Sequence, residues 1–304
     1  MPVEHATLED ALPNGIDLGS NAFLLIHGWT AGPLLLDFVA KAKKPLVERP
    51  LTAAQLAETV HMEAGPLAIL LRTCSILGYV AFDTLQDTYS LVPGPALDEL
   101  EAQLGSSTPL AQALRRIYAE AMPPFKLPSM EATRCFEVWT ECRPLWRSSS
   151  STTLSVLLDG IVLAPLLTSI TYFARWSEEG LDYGKDNSMD SFNFSELDAA
   201  SRAALGGIFQ ELGVGTVTPE GILTMTPKGS LALQRCYSFY VPTSYSPLLS
   251  NFGRILTEEP GWGFESADPD ETEIHVKRTL NVVGSGAQHQ TLFKDMMRHI
   301  NIVF

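Results

Sequence analysis

The chain has 304 residues, of which 45% are apolar, and it carries a formal net charge of −14 with an isoelectric point near 4.8. This composition suffices for one large hydrophobic core or two of ordinary size, and it does not indicate disorder. Phosphate binding needs clustered Lys and Arg, so the acidity argues against nucleic acid and against an anionic membrane. We therefore expect a protein with no nucleic-acid partner and no membrane partner.

The cysteines and the first residues bear on the cellular compartment. Four cysteines, Cys74, Cys135, Cys142 and Cys236, lie far apart and form no C-x-x-C pair, which disfavours a zinc site or a disulfide framework. The opening sequence MPVEHATLED has no basic segment followed by an apolar one, as a secretory signal would. We expect reduced thiols and a cytoplasmic location.

The first apolar run, FLLIHGWTAGP over residues 23–33, resembles an early strand of an α/β-hydrolase. In that fold the backbone after His27-Gly28 would help to form an oxyanion hole, and a G-x-S-x-G serine, an acid and a histidine would follow. No G-x-S-x-G is present in the sequence. Ser285, in Gly-Ser-Gly, comes too late for the rest of a triad to follow it, so the hydrolase interpretation is disfavoured.

An internal repeat gives a different interpretation of the same residues. The pattern [HD]-G-x4-P-L-L begins at His27 and again at Asp159, at an offset of 132 residues. Leu77-Gly78 matches Leu212-Gly213, and a proline that ends the first unit matches Pro227, at similar offsets. These anchors predict two tandem copies of one unit. In that frame His27-Gly28 lies inside a helix, as Asp159-Gly160 does.

The apolar run at 154–174 is long enough to span a bilayer. However, Asp159 and Pro165 lie inside it, and an acid near a bilayer centre costs about 2.5 kcal/mol or more. We predict a buried core helix instead.

Each predicted copy contains a helical unit followed by a short hairpin. In the first, Thr52 to Gln55 forms a capping box, and residues 78–93 predict two strands around a polar turn. In the second, Asn193 to Ser195 is the predicted cap, residues 197–212 are the predicted helices, and residues 214–227 are the predicted wing. The fold class is thus mainly α with small β wings.

The predicted boundaries follow from these units. A first helical/winged-helix unit covers 1–147, a second covers 154–243, and a helical segment covers 244–304, with the serine-rich stretch at 148–153 as a linker. The two candidate recognition helices contain only Arg72 and Arg202 as basic residues, which argues against DNA binding. The interpretation that remains is that the winged helices have a structural or dimerising role.

The C-terminal third carries a family resemblance. Residues 275–304, HVKRTLNVVGSGAQHQTLFKDMMRHINIVF, contain the motif R-x-L-N-V-x-G-S-G-x-x-H-x-x-x-F from Arg278 to Phe293, after the segment SYSPLLSNFGRIL at 244–256. Together they resemble the part that precedes the donor-binding domain in S-adenosylmethionine-dependent C-methyltransferases associated with polyketide synthases. Some of those enzymes depend on a mononuclear metal. The resemblance covers the two winged-helix regions in outline only.

The resemblance implies a polyketide-type acyl substrate, carried on an acyl carrier protein, and a homodimer. It also implies a Rossmann domain for the methyl donor, whose acid-x-G-x-G loop this sequence lacks. Gly284-Ser285-Gly286 does not replace that loop, because no third glycine and no βα unit follow it. We expect either a piece of a methyltransferase, which would use S-adenosylmethionine only together with the missing domain, or a relative that has lost methyl transfer.

Candidate metal ligands and catalytic residues are few. His289 and Gln290 could hold one face of an open site for Mn or Fe, and the resemblance to metal-dependent members makes His289 the first catalytic candidate. Alternatively, His289 packs against its own helix. Asp159 is the second catalytic candidate, because a carboxylate in an apolar run needs a partner or a raised pKa. A structural hydrogen bond is the alternative for Asp159.

His27, Tyr240 and Tyr245 are the substrate-binding candidates, with a core position as the alternative for each. Two functional classes follow. The chain is the substrate-binding and dimerising part of a C-methyltransferase, or it is a non-methylating relative. The latter would be a stand-alone enzyme acting on a polyketide-like intermediate or a non-catalytic interaction scaffold.

Overall fold

Two long helices cross at the centre of the molecule, and the other helices and, among the described residues, three small antiparallel sheets pack around them. The computed structural model describes residues 18–120, 123–127, 129–146, 152–177, 180–181, 191–264 and 273–303. The helices are α1 (Leu18–Asp37), α2 (Lys43–Glu48), α3 (Ala53–Val60), α4 (Ala64–Ile76), α5 (Pro95–Leu104), α6 (Pro109–Glu120), α7 (Met130–Trp146), α8 (Thr152–Arg175), α9 (Ala199–Leu212), α10 (Pro227–Gln234), α11 (Cys236–Ser244), α12 (Ser246–Ser250), α13 (Phe252–Thr257) and α14 (Arg278–Val303). The strands are β1 (Val80–Asp83), β2 (Thr88–Leu91), β3 (Trp176–Ser177), β4 (Gly180–Leu181), β5 (Ser191–Asn193), β6 (Gly215–Val217) and β7 (Ile222–Met225). The expected class, mainly α with small β elements, is confirmed.

Helices α1 and α8 form the central pair. His27-Gly28 lies within α1 and Asp159-Gly160 within α8, so the prediction that both dipeptides are helical is confirmed. The stretch Thr153–Phe173 is long and apolar enough to cross a membrane, yet 78% of its most apolar window is buried inside the protein. That burial is what the core-helix interpretation predicted. A π-helical turn, Phe38–Ala42, joins α1 to α2.

The first helix-and-hairpin region follows the predicted local signals. The Thr52 side chain accepts a hydrogen bond from the Gln55 amide, and the Gln55 side chain accepts one from the Thr52 amide, which completes the capping box of α3. After α4, β1 and β2 pair in antiparallel register, with Val80 opposite Leu91. Leu51 forms an isolated bridge with Tyr89, on the other side of β2 from β1.

The second region has one helix where the sequence suggested several. Strands β5, β7 and β6 form a three-stranded antiparallel sheet in that order, and β6 and β7 lie within the stretch 214–227, for which the sequence predicted a hairpin. The predicted cap was wrong. Asp198 caps α9 by accepting from the Ser201 amide, whereas the Asn193 side chain accepts from the Ser195 amide in a local turn.

One hydrophobic core extends through both regions. Its members run from Leu25 on α1 through Leu70 on α4 and Leu166 on α8 to Ile208 on α9 and Leu256 on α13, so the two predicted units share a core. All four cysteines are buried free thiols, as the reduced state requires. Burial raises the pKa of Cys135 to about 12 and that of Cys142 to about 11, which keeps both thiols protonated at neutral pH.

Helix α14 packs its first turns against α11. A Cβ atom added to Gly284 would lie 2.7 Å from the Tyr240 Cβ atom, so the glycine allows the two helices to approach closely. The Gln288 side chain donates to the Tyr237 carbonyl oxygen at 2.8 Å. Further along α14 the described side chains are exposed.

Candidate functional site

The candidate site lies beside the crossing of α1 and α8. Two glycines at this crossing have no side chains, so the two helices can approach each other closely. A Cβ atom on Gly28 would lie 2.3 Å from the Leu157 carbonyl oxygen, and one on Gly160 would lie 2.4 Å from the Leu25 carbonyl oxygen. The four residues match pairwise at the offset of 132 found in the sequence. The contact is therefore reciprocal, as at a twofold interface.

A cavity of about 110 Å³ opens beside this crossing, between α1, α8 and the end of α4. It is lined by Leu24, His27, Thr30, Ala31, Thr73, Ile76, Leu77 and Leu157. Most of the lining is apolar, and the polar atoms come from one imidazole and two hydroxyls. Its lining residues come from α1, from Leu157 of α8 and from the C-terminal turn of α4.

His27, one of the predicted substrate-binding residues, lines this cavity. Burial lowers the pKa of His27 below its ordinary value, because the imidazolium ion loses hydration in an apolar environment. The ring is then neutral at physiological pH. A neutral imidazole can donate a hydrogen bond from one nitrogen and accept one at the other.

Asp159, the α8 residue that matches His27 in the repeat, is half-buried and takes part in a polar interaction. It does not belong to the lining of the His27 cavity. The structure thus brings Gly28 and Gly160 together at the crossing, but it does not place Asp159 in the cavity with His27. The structural alternative for Asp159, a hydrogen bond within the fold, agrees with this position.

The two predicted substrate-binding tyrosines lie near α11. Tyr240 is 1% exposed, and its hydroxyl donates to Thr171 Oγ1 at 2.8 Å, so it occupies a core position between α8 and α11. Tyr245 is half-buried and its ring lies 6.4 Å from the ring of His275, in a stacked arrangement. Neither tyrosine lines the His27 cavity.

Buried hydroxyl groups connect α1 and α8 to the C-terminal helices. Trp29 Nε1 donates to Ser246 Oγ at 3.1 Å, and Ser246 Oγ donates to the Thr243 carbonyl oxygen at 2.5 Å. Thr168 Oγ1 on α8 donates to Thr243 Oγ1 at 3.2 Å. Thr168, Thr243 and Ser246 are fully buried, so these bonds satisfy polar atoms that water cannot reach.

The predicted metal ligands lie on α14, away from these groups. The His289 side chain is exposed, and its ring lies 5.9 Å from that of Phe293, within the same helix. Gln290 belongs to α14, but its side chain lies outside the described residues. In the part of the chain that the structure describes, no three His, Cys, Asp or Glu side chains are grouped so that they could hold a metal ion. His289 and Gln290 as metal ligands therefore stay a prediction, and the described residues add no third ligand beside them.

The Gly284-Ser285-Gly286 sequence does not fit a donor-binding loop. All three residues lie inside α14, where the Ser285 hydroxyl donates to the Asn281 carbonyl oxygen at 2.9 Å. Gly284 faces Tyr240 of α11. A phosphate-binding or nucleoside-binding glycine loop needs free backbone N–H groups at a helix N-terminus, and these N–H groups are inside a helix.

Sequence reasoning missed Asp37, at the end of α1. This carboxylate is 5% exposed, and burial raises its pKa even though Lys41 and Arg115 lower it. The signal was present in the sequence as a single acid between Leu34-Leu35-Leu36 and Phe38-Val39. Asp159 was chosen for the same reason, namely that a carboxylate inside an apolar run needs a partner or a raised pKa.

Comparison with known proteins adds no family assignment: no protein-family model matches the chain, and no curated protein matches it.

Proposed function

We propose that this chain is the substrate-binding and dimerising part of an S-adenosylmethionine-dependent C-methyltransferase that acts on a polyketide-type acyl intermediate. The observation that carries the proposal is the His27 cavity, an apolar recess with one neutral imidazole, in a chain whose α14 bears the methyltransferase-like motif from Arg278 to Phe293. The described residues supply substrate contacts. The methyl donor would be bound by a separate domain, as the resemblance implies.

The cavity suits the end of an acyl chain. Its volume of about 110 Å³ is well below the roughly 300 Å³ at which drug-sized sites begin, so it fits a short acyl group. Leu24, Ala31, Leu77 and Leu157 would contact the hydrocarbon part. The His27 imidazole would donate a hydrogen bond to a thioester or β-keto carbonyl oxygen, for which an uncharged donor is sufficient.

We further propose that the helix-and-hairpin regions are two copies of a winged-helix unit. In the first, the strand segment at Leu51 pairs with β2, and β2 pairs with β1. In the second, β5 pairs with β7, and β7 pairs with β6. Both orders place the last strand in the middle, and the reciprocal contact of Gly28 and Gly160 relates the helices that precede them. The second copy has lost one of the two helices.

The exposed end of α14 is the proposed dimer surface, with a second copy of this chain as its partner. Phe293, Met296, Met297 and Ile300 recur at helical spacing and are between 43% and 55% exposed. Lys294 and Arg298 lie beside them, on a chain whose net charge is −14. An apolar stripe flanked by basic groups is complementary to an acidic protein, and this chain is itself acidic, so we propose a second copy as the partner.

A non-methylating relative is the second candidate. Its support is that Gly284-Ser285-Gly286 lies inside α14 and not in a donor-binding loop, and it would be a stand-alone enzyme on a polyketide-like intermediate or an interaction scaffold. The two candidates differ in methyl transfer, and acyl binding at His27 is shared by the first candidate and the stand-alone enzyme.

Titration calorimetry with an acetoacetyl-pantetheine thioester tests the cavity. We expect saturable binding that weakens at least about tenfold in His27→Leu, which removes the donor but keeps the volume apolar. His299→Leu, at an exposed position on α14, is the matched control and should bind as the parent does. Absence of binding, or equal binding by His27→Leu, would overturn the acyl-binding proposal.

Methyl transfer is then measured with the natively expressed gene product, its mass and its metal content determined in parallel. Transfer from S-adenosylmethionine to the thioester supports the methyltransferase, and binding without transfer supports the non-methylating relative.

Sedimentation of the chain at low and high salt tests the dimer. We expect a dimer that dissociates in Lys294→Glu/Arg298→Glu, and a monomer at all concentrations would contradict it.

A further inference from the structure

A second cavity, of about 260 Å³, lies at the other end of α1, between α6, α12 and α13. Its lining includes Asp37 of α1, Arg115 of α6, and Asn251, Gly253 and Arg254 of the C-terminal helices. It shares no lining residue with the His27 cavity. Its residues are not used in the proposed acyl binding.

Asp37 is the acidic residue among those that line this cavity. The residue is 5% exposed, and its partner is Lys41, whose Nζ lies 3.7 Å from Oδ1. That distance is longer than a hydrogen bond, and Lys41 is itself 41% exposed. Desolvation outweighs both Lys41 and Arg115 in setting the pKa of Asp37, so the carboxylate is incompletely compensated by the groups around it.

Gly253 leaves the carboxylate open towards the cavity. A Cβ atom at this position would lie 3.4 Å from Asp37 Oδ2 and 3.8 Å from Oδ1. A larger side chain would therefore cover the face from which a ligand could reach the carboxylate. The ion pair with Lys41 is formed at Oδ1, and Oδ2 is the carboxylate oxygen nearer to the position that a Gly253 side chain would take, where a cationic group of a ligand could approach.

Two lining residues of the cavity, Arg115 and Arg254, carry the opposite charge. Arg115 is exposed and makes no ion pair with the described residues. Arg254 also reaches the cavity, and Glu259 and the Trp262 ring hold its guanidinium. A single ligand bound in this space could meet the buried carboxylate of Asp37 and the exposed guanidinium of Arg115.

We propose that this cavity binds a small zwitterion, with its ammonium group on Asp37 and its anionic group on Arg115. The volume is below the roughly 300 Å³ typical of drug-sized ligands, which restricts the ligand to the size of a small amino acid or an amino phosphate. A ligand with only one of the two charges would leave the opposite protein group uncompensated.

Four probes of similar size test the charge requirement by titration calorimetry: L-alanine, O-phosphoethanolamine, propionate and ethylamine. We expect at least one of the first two to bind with a Kd below about 10 mM. Propionate and ethylamine should bind at least about tenfold more weakly, because each lacks one of the two charges. Preference between L-alanine and O-phosphoethanolamine identifies a carboxylate or a phosphate as the anionic group.

Variants locate the binding. Asp37→Asn and Arg115→Gln should each weaken binding of the preferred zwitterion at least about tenfold, while Asp98→Asn, an exposed site on α5, should leave it unchanged. Circular dichroism verifies that each variant is folded. The proposal is overturned if neither zwitterion binds, if propionate or ethylamine binds equally well, or if Asp37→Asn binds as the parent does. Acyl-thioester binding at His27 is unaffected by any of these results.

Discussion

Helices α1 and α8 have matching sequences and meet at matching glycines, yet their other contacts differ. At the offset of 132, His27 of α1 corresponds to Asp159 of α8, Trp29 to Ile161, and Asp37 to Ser169. The shared glycines form the helix crossing, whereas His27 and Asp37 of α1 each line a cavity. The comparison indicates that the crossing is the common structural element and that α1 carries the candidate binding groups.

We expect the largest effect from substitutions at the helix crossing, which test whether Gly28 of α1 and Gly160 of α8 contribute equally to stability. Gly28→Ala and Gly160→Ala should each lower the free energy of unfolding by about 3 kcal/mol, because each new methyl group would overlap a backbone carbonyl oxygen of the other helix. The double variant should lose less than the sum, since one displacement relieves both overlaps. Urea denaturation measures all three.

Gly286→Ala is the matched control for these variants. It is also a helical glycine, but a Cβ atom there would meet no atom within 4 Å. We expect no loss of stability, or a gain of up to about 1 kcal/mol from helix propensity. If Gly28→Ala behaves as Gly286→Ala does, the close crossing is wrong.

The next effect tests a polar contact that α1 makes and α8 cannot. Ser246→Ala removes the acceptor for the buried Trp29 indole, and Ile161, at the matching place in α8, has no polar atom. Leaving a buried donor without a partner costs about 1–3 kcal/mol. Ser250→Ala, on the same helix but partly exposed, should cost less. Equal losses in thermal denaturation would contradict the importance of the Trp29 bond.

The smallest effects concern pH, and the two titratable residues of α1 should act in opposite directions. The folded-state pKa of His27 is lowered, so the unfolded chain binds a proton at a higher pH than the folded chain does. The free energy of unfolding should therefore fall as the pH drops below about 6.5. His27→Gln should remove this loss. Urea denaturation of both proteins between pH 5 and pH 8 compares them, and identical pH profiles would contradict the burial of His27.

The folded-state pKa of Asp37 is raised, so its contribution to stability is present in acid and is lost as the pH rises through that pKa. Lys41 and Arg115 oppose this shift, and Arg254 lines the same cavity. Asp37→Asn should therefore stabilise the protein at neutral pH, with a gain that vanishes as the pH approaches about 3.9. Asp98→Asn serves again as the exposed control. A loss of stability at neutral pH would show that Lys41 compensates the carboxylate.

Much of the local structure could be predicted from short sequence signals. The capping box at Thr52 and the hairpin of β1 and β2 depend on neighbouring residues, so they were found where expected. The N-cap of α9 was predicted at the wrong residue, because Asn193 and Asp198 both suit a helix start and the sequence does not decide between them. The repeat also placed His27 correctly in a helix.

The candidate sites were harder to predict, because they depend on which surfaces meet. His27 was chosen from the sequence and does line a cavity, whereas Tyr240 lies in the core. His289 and Gln290 followed from a resemblance, and the described residues around them do not form a metal site. Asp37 was overlooked, since the apolar run around it gives no indication of a cavity.

The sequence by itself determined the elements whose signals are local: helix periodicity, caps, turn residues and the repeated [HD]-G-x4-P-L-L pattern. Only the tertiary structure decided that Gly28 meets Gly160, that Asp37 is buried beside Gly253, and that α14 projects an apolar stripe. The physical reason is distance along the chain. Burial, desolvation and cavity shape arise from helices that are far apart in the sequence, and no local pattern specifies them.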